Sequence, residues 1–462
     1  MAVREMFSSL AIRNYRLYFL GQLVSVTGTW VQTVAQSFLV LQLTHSGSAL
    51  GLTIAARFAP LLLFGPWGGL IADRLDKRRM LLVTQTLSGL LALAFGLLIS
   101  TGALQLWTVY LLATLLGLVN VVDNPARQSM ISELVPREQL SNAVTLNSII
   151  VNMARVFGAA VGGVVAAVLG LALCFDLNAA SYLGVLITLV LMSRAQMSPA
   201  APQLRERGQL RAGFRYVRSG PALLVPLLMT AVVGALAWEF QVSLPLLTVN
   251  TFHGGAGTYG TMTSVMGVDA VVGGLFSASR RSPGARGLAL AAIGWGAAIT
   301  AAALAPTQPV EYVALLFVGY GSISFNSLAK TTLQLATAPV MLGRVMALWG
   351  LAWQGSTPIG GPIIGWISED FGPRWSLLAG GLPTITVGLL ALPVLSRLDR
   401  QLQVDTTKVA VTELTASDST VEFEAGPVVG EKRSAGKRAR DDESLERRPG
   451  VPGEGGRDGG PL

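Results

Sequence analysis

Gly68-Gly69-Leu70-Ile71-Ala72-Asp73-Arg74-Leu75-Asp76-Lys77-Arg78-Arg79 reads as a small-residue helix end that turns into a dense basic loop. Apolar stretches flank it over residues 49–71 and 80–99, each close to the ~20 residues needed to cross a bilayer. Glycines at the end of such a helix let a second helix approach closely. The Lys/Arg cluster holds the loop on the cytoplasmic side. A carboxylate at this place, Asp73, calls for a cationic or helix-N-terminal partner.

The whole chain has the same character. Hydrophobic residues make up 51% of it and charged residues 13%, and mean hydropathy is +0.55, as in a protein with many bilayer-crossing segments. A net charge of +8 would suggest nucleic acid in a soluble protein. Here the cations lie in loops between apolar spans and no aromatic–basic patch accompanies them, so membrane orientation accounts for them and no nucleic-acid partner is expected. The single cysteine, Cys174, excludes an intramolecular disulfide and reads as an inert buried thiol at a helix start.

The hydropathy pattern predicts twelve spans, at about 15–43, 49–71, 80–100, 106–130, 142–169, 171–193, 221–249, 258–278, 287–305, 310–335, 345–367 and 375–395. Loops after even-numbered spans carry the cations, at 74–79, at 194–218, and at Arg280, Arg281 and Arg286. Loops 44–48, 101–105 and 250–257 contain no Lys or Arg. Both termini are therefore expected in the cytoplasm. The first span is too long for a signal-peptide core and contains Gln22, Gln32 and Gln36, so it should remain in the mature protein. The expected organisation is a cytoplasmic segment 1–14, a six-helix half 15–193, a basic linker 194–220, a second six-helix half 221–396 and a tail 397–462. That tail, rich in Gly, Pro and mixed charge, cannot bury enough apolar surface to order itself and reads as a disordered cytoplasmic segment.

The halves show traces of a repeat. At a constant offset of 203 positions Asp123 matches Asn326, Arg127 matches Lys330, Ala159 matches Pro362 and Gly162 matches Gly365. Asp123 and Arg127 are i,i+4 neighbours on one helix face, as are Asn326 and Lys330. Near that offset Gly68-Gly69 corresponds to Gly273-Gly274, followed by a basic loop without its carboxylate.

The opening stretch resembles the loop between the second and third helices of the major facilitator superfamily, Gly-x-x-x-Asp-Arg-x-Gly-Arg-Arg/Lys. Gly69, Asp73, Arg74, Lys77 and Arg78 occupy its positions, while Asp76 replaces the second glycine. Further stretches are Asn14-Tyr15-Arg16-Leu17-Tyr18-Phe19, Gly28-Thr29-Trp30-Val31-Gln32, Asp123-Asn124-Pro125-Ala126-Arg127-Gln128, Asn142 to Ser148, and Asn152-Met153-Ala154-Arg155. Together, over residues 8–396, they resemble the branch containing enterobactin exporters and macrolide-type drug:proton antiporters. The resemblance implies an all-α polytopic membrane protein of the major facilitator fold, with twelve transmembrane helices in two pseudo-symmetric six-helix halves. It implies a monomeric, multi-pass inner-membrane secondary transporter, neither enzyme nor cofactor-dependent. Its partners would be the lipid bilayer, protons and a hydrophobic or amphiphilic small molecule such as a drug, macrolide, siderophore or secondary metabolite. It also implies that Asp73 lies near Gly343-Arg344 and that Arg78 reaches Asp123 when the cytoplasmic side is closed. Asp123, Arg127, Lys330 and Arg344 thereby join the expected gate. The antiporter pattern Gly-x-x-x-Gly-Pro-x-x-Gly-Gly is imperfect at Gly158-Ala159-Ala160-Val161-Gly162-Gly163, and a better copy is Gly360-Gly361-Pro362-Ile363-Ile364-Gly365.

Ionisable groups within spans are costly unless they face a cavity or a partner. Arg57, Arg155, Glu239 and Asp269 stand out. Glu239 and Asp269 read as the only deep carboxylates of the second half and as candidates for proton coupling, since burial makes a carboxylate hold its proton more readily. Arg57 and Arg155 could hold such a carboxylate, an anionic substrate or a structural partner. His45 and His253 fall in outer loops. No phosphate-binding P-loop appears, so direct ATP driving is not expected. An importer or lipid flippase on the same scaffold, or a non-transporting scaffold or sensor acting through the tail, are the alternatives; the latter has no need of membrane carboxylates.

Overall fold

In lipid a backbone can satisfy its polar groups only internally, which for single segments means helices. The computed structural model contains helices and no strand among its described residues. These are residues 7–197, 209–279 and 284–421, with the backbone alone described at 66, 70, 73, 209–211, 269–279 and 401–421. In chain order the helices are α1 (Arg13–Thr44), α2 (Gly47–Arg74), α3 (Lys77–Ser100), α4 (Leu106–Leu134), α5 (Leu140–Val168), α6 (Leu171–Leu191), α7 (Gln209–Val217), α8 (Pro221–Leu236), α9 (Phe240–Asn250), α10 (Ala256–Ser279), α11 (Gly284–Ala303), α12 (Gln308–Leu335), α13 (Leu342–Gln354), α14 (Thr357–Asp370) and α15 (Pro373–Val421). The chain divides into Met1–Gln403 and Val404–Leu462. All packing below is internal to the first unit, and the second is described only as the end of α15.

Among the described residues nine segments are long and apolar enough to cross a membrane, against twelve spans predicted from the sequence. The shortfall has physical causes. α1 has 32 residues but buries Gln22, Gln32 and Gln36. The eleventh predicted span is split into α13 and α14, each too short alone. Side chains of α10 from position 269 onward lie outside the described residues. Apolar side chains cover the outside of the helices, and Trp107, Trp366 and Trp375 are exposed near helix ends, where amphipathic rings sit at membrane–water boundaries.

The basic loop is built by capping. Asp76, in place of the expected glycine, is the N-cap of α3, its Oδ1 accepting the Arg79 N–H at 3.0 Å. Lys77 pairs with Glu133 at 3.4 Å. Arg78 does not reach Asp123. Its Nε and Nη2 donate to the carbonyls of Leu189 and Val190 at 2.7 and 2.8 Å, where the end of α6 offers unsatisfied acceptors. Asn14 ties α1 to the same end, donating to the Ser193 carbonyl at 2.8 Å and accepting its N–H at 3.0 Å. Tyr15 and Tyr18 donate to the carbonyls of Ala143 and Arg127 at 2.8 and 3.1 Å.

The second half closes the equivalent joint with a carboxylate. Asp399 accepts the N–H groups of Ala285 and Arg286, both at 2.7 Å, at the start of α11. The last helix thus continues past position 396, where the sequence pattern ends it, and runs to Val421; residues 422–462 of the expected tail lie outside the described residues. Asp399→Ala is expected to cost about 0.5–2 kcal/mol, as for other lost caps, and to lower the melting temperature of the purified protein. An unchanged melting curve would deny the cap any weight. Within the expected linker, α7 docks on the second half. Val217 packs with Leu223, Leu333 and Val345, and the Tyr216 hydroxyl accepts the Ala338 N–H at 3.1 Å. Positions 198–208 of that linker, like Arg280 and Arg281, lie outside the described residues.

The halves meet at the end expected to face outward. Gly47 and Gly51 of α2 abut the backbone of α14 at Gly365 and Gly361, with no room for a Cβ. Gly163 of α5 lies against Ala256 and Gly260 of α10. Phe38 packs on Tyr259 with ring centroids 5.9 Å apart. Beyond the apolar span, Glu369 accepts the Ser48 N–H and the Ser46 hydroxyl, both at 2.8 Å. The N–H and hydroxyl of Ser48, with the hydroxyl of Ser46, hold its carboxyl below the usual carboxylate range. At the basic end, by contrast, the described apolar clusters each belong to one half, around Tyr15, Met130 and Leu146 in the first and around Val217 and Leu348 in the second. Among the described residues the apolar clusters thus bridge the halves at one end and stay within each half at the other.

Candidate transport site

Two helix breaks meet at mid-depth in the second half, although the sequence pattern predicts continuous seventh and eleventh spans. Between α13 and α14, Pro358 supplies no N–H, and its ring would collide with the carbonyl of Gln354, the last residue of α13. The Ser356 hydroxyl donates to the Ala352 carbonyl at 2.8 Å and so covers one freed acceptor. Between α8 and α9, the N–H groups of Ala237 and Trp238 both turn to the Val233 carbonyl, at 2.9 and 3.2 Å. The helix restarts from Glu239, whose carbonyl accepts from Val242 and Ser243 at 3.0 Å each. Gly234 and Gly360 bring the two breaks together. A Cβ on Gly234 would lie 2.8 Å from the carbonyl oxygens of Ala352 and Trp353, and Gly360 rests on the Ala235 carbonyl.

Glu239 sits where these breaks touch. It is 3% exposed, Thr357 at the start of α14 stands beside its carboxylate, and its Oε1 has no partner. The adjoining Trp238 opens a wall of rings, with Trp353 at 4.7 Å, Trp295 at 6.2 Å and Phe240 at 6.5 Å between centroids. Trp295 also packs on Phe325 at 5.7 Å. Across from this wall, the Arg155 guanidinium of α5 lies 5.6 Å from the Trp238 ring and 5.2 Å from the Trp30 ring of α1. Sequence reasoning singled out Glu239 and Arg155 as isolated ionisable residues. It did not bring Arg155 onto the ring of Trp238, the neighbour of Glu239, and it missed the aromatic wall, whose rings come from several spans.

In this conformation Asp123 and Arg127 are paired within the first half. Asp123, 1% exposed, accepts from Arg127, from the Thr84 hydroxyl at 2.6 Å and from the Gln85 amide at 2.8 Å. Arg127 also donates to Gln22 at 2.8 Å. All of these belong to the first half, so the network joins α1, α3 and α4. Lys330 is exposed, with its ammonium 5.7 Å from the Trp349 ring of its own half. Arg344 contacts the Met341 sulfur at 3.3 Å. Arg57 lies 5.9 Å from the Phe58 ring, and Arg74 is exposed at the end of α2. The close approach expected beside Gly69 is made by Gly68, on the Val121 backbone. The side chains of Asp73 and Asp269, with Gly273 and Gly274, lie outside the described residues. A missed carboxylate is Glu311 in the first turn of α12, fully buried with both oxygens unpartnered.

The predicted packing glycines divide their work. Gly158 and Gly162 press on α1 at Thr27, Trp30 and Val31, whereas Gly163 faces α10 in the other half. Gly360 serves its own half, whereas Gly361 and Gly365 face α2, and Pro362 stands where a Cβ on Gly51 would come within 3.0 Å. Gly51→Val should therefore prevent the outer seal from closing. A membrane-impermeant thiol reagent added outside should then modify Ser37→Cys, a position that is 2% exposed here; native Cys174 is fully buried and silent. Equal protection with and without Gly51→Val would contradict the seal.

A sequence model of the family described as transmembrane secretion effector matches residues 5–430. The enterobactin exporter EntS of Citrobacter koseri is 27% identical over 390 residues, covering 84% of this chain and 92% of the relative. The enterobactin exporter EntS of Shigella boydii serotype 18 is 27% identical over 409 residues, 88% of this chain and 96% of the relative. Among solved structures, a bacterial homolog of the human lysosomal transporter Spinster, in an inward-facing and occupied conformation, gives a TM-score of 0.65 at 16% identity, over 84% of this chain and 97% of that one. The nucleoside transporter NupG gives 0.65 at 13% identity, over 82% and 98%.

Proposed function

We propose, since this chain belongs to the transmembrane secretion effector family of the major facilitator superfamily, that it exports an amphiphilic small molecule of the siderophore kind in exchange for protons. The relatives named for enterobactin export support the cargo class. The loop charges support a cytoplasmic position for the basic end and both termini. On that orientation the bridged end is the outer one, and our reading takes the conformation as inward-facing, with Trp30, Arg155 and Trp238 offered to cytoplasmic substrate. The opposite state separates the glycine seal and closes the basic end, where Asp73, Arg74 and Arg344 are the gate residues.

The observation that carries the coupling is Glu239 at the contact of two broken helices. Broken spans concentrate binding groups and movement at mid-membrane. A buried carboxylate with an unpartnered oxygen is costly while charged, so a proton is held while the breaks are closed together and lost when water reaches them. Thr357, beside that carboxylate, belongs to α14, which also forms the outer seal at Gly361 and Gly365, and so links that step to the seal. Expression in a bacterium deleted for its own enterobactin exporter tests the cargo. Restored secretion of the siderophore into the medium is expected. Continued retention in the cell, with no other amphiphile of a test panel secreted, would overturn the export reading.

A further inference from the structure

Two arginines of the first half are half-buried within its spans, and they differ in one respect. Arg127 has Asp123 and Gln22. Arg155 makes no ion pair and no hydrogen bond among the described residues, and its Nε is buried without a partner. Its two contacts are the faces of Trp30 and Trp238, one from each half. Ring faces attract a cation but accept none of the five N–H donors of its fork. That fork matches a planar or tetrahedral oxyanion.

The chain also marks a path to it. Ser141, Thr145, Ser148 and Asn152 precede Arg155 at alternating spacings of four and three, hence along one face of α5. Ser141, Thr145 and Ser148 are exposed. Thr145, Ser148 and Asn152 bond back to carbonyls of their own helix, at 2.9, 3.1 and 2.9 Å, and not to a neighbouring one. A polar stripe thus rises from the basic end of α5 to the guanidinium, in a helix otherwise rich in Val, Ala and Gly.

We propose that Arg155, held between Trp30 and Trp238, binds the negative group of the exported molecule, whose flat π system lies on the tryptophan wall and whose route from the basic end is the stripe Ser141–Thr145–Ser148–Asn152. The substrate class is therefore an organic anion with an aromatic or conjugated body, rather than a lipophilic cation. This rests on the export reading for the direction of travel, but binding itself needs no gradient.

The test is isothermal titration of the full chain in lipid nanodiscs, against protein-free nanodiscs. The probes are naphthalene-2-sulfonate, the matched cation 2-naphthylmethylammonium, and cyclohexanesulfonate, which keeps the anion and loses the ring system. Saturable binding of the naphthalene anion is expected, weaker binding of the saturated anion, and none of the cation above baseline. Arg155→Gln should weaken the aromatic anion at least about tenfold, the effect of losing a charged hydrogen-bond donor. Arg155→Lys should fall between, because an ammonium keeps the charge without the fork. Trp30→Leu should weaken the aromatic anion and spare the difference between anion and cation. Cation binding as tight as anion binding, no anion binding, or unchanged affinity in Arg155→Gln would overturn the proposal. Should Arg155→Gln fail to fold, unchanged aromatic-anion affinity in Trp30→Leu overturns it equally. Because binding is read without a gradient, a failed coupling mechanism leaves this outcome standing.

Discussion

Glu239→Gln is expected to abolish transport driven by a proton gradient in vesicles while leaving substrate exchange close to that of the natural protein. The amide keeps the size of the side chain and can still meet Thr357, so the packing of the two breaks should survive. What it loses is the proton. Since Glu239 is 3% exposed with one oxygen unpartnered, no water shell maintains a fixed charge there, and the neutral form is the one suited to the closed break. A merely structural carboxylate would behave differently, losing both activities together or losing the protein from the membrane. Gradient-driven transport at the natural rate in Glu239→Gln would remove this residue from the coupling step, and buried Glu311 would be the next to test.

The second large effect concerns stability. Arg127→Leu would leave Asp123, 1% exposed, with only the Thr84 hydroxyl and the Gln85 amide. Removing one partner of a buried ion pair costs about 3–5 kcal/mol, because the other charge stays buried and uncompensated. The variant should be largely missing from the membrane fraction. Adding Asp123→Asn should restore most of it, since the amide keeps acceptor and donor capacity without the charge. If Arg127→Leu alone accumulates and melts like the natural protein, the network among α1, α3 and α4 is not a structural joint.

The sequence carried the membrane class, the halves and the small-residue faces because each is written in local composition. The glycines at 158–163 and 360–365 do make close crossings, some within a half and some between halves. Which side each serves depends on helix rotation, which spacing alone leaves open. Partners were harder to see. The resemblance pairs Arg78 with Asp123 in the closed state, whereas here Arg78 binds the carbonyl end of α6, and backbone acceptors leave no trace in a sequence. The charged neighbours of Asp399 read as tail, although a single capping carboxylate suffices to dock that turn. Glu311 lies close to the predicted start of a span, where exposure is the ordinary outcome, so its burial is not legible in the sequence. Of the two breaks, Gly355-Ser356-Thr357-Pro358 had a readable breaker in its proline. Ala237-Trp238-Glu239 had none, since tertiary contacts from Gly360 and Thr357 decide it.

The most direct test of the account is proton movement itself. Purified protein in sealed proteoliposomes, with a pH dye trapped inside, is given an outward gradient of the compound whose secretion the host assay restores. With the transmembrane potential clamped, outflow of the compound should acidify the lumen, and Glu239→Gln should allow neither net outflow nor acidification. Outflow that proceeds at full rate with no change in internal pH would contradict proton exchange through Glu239.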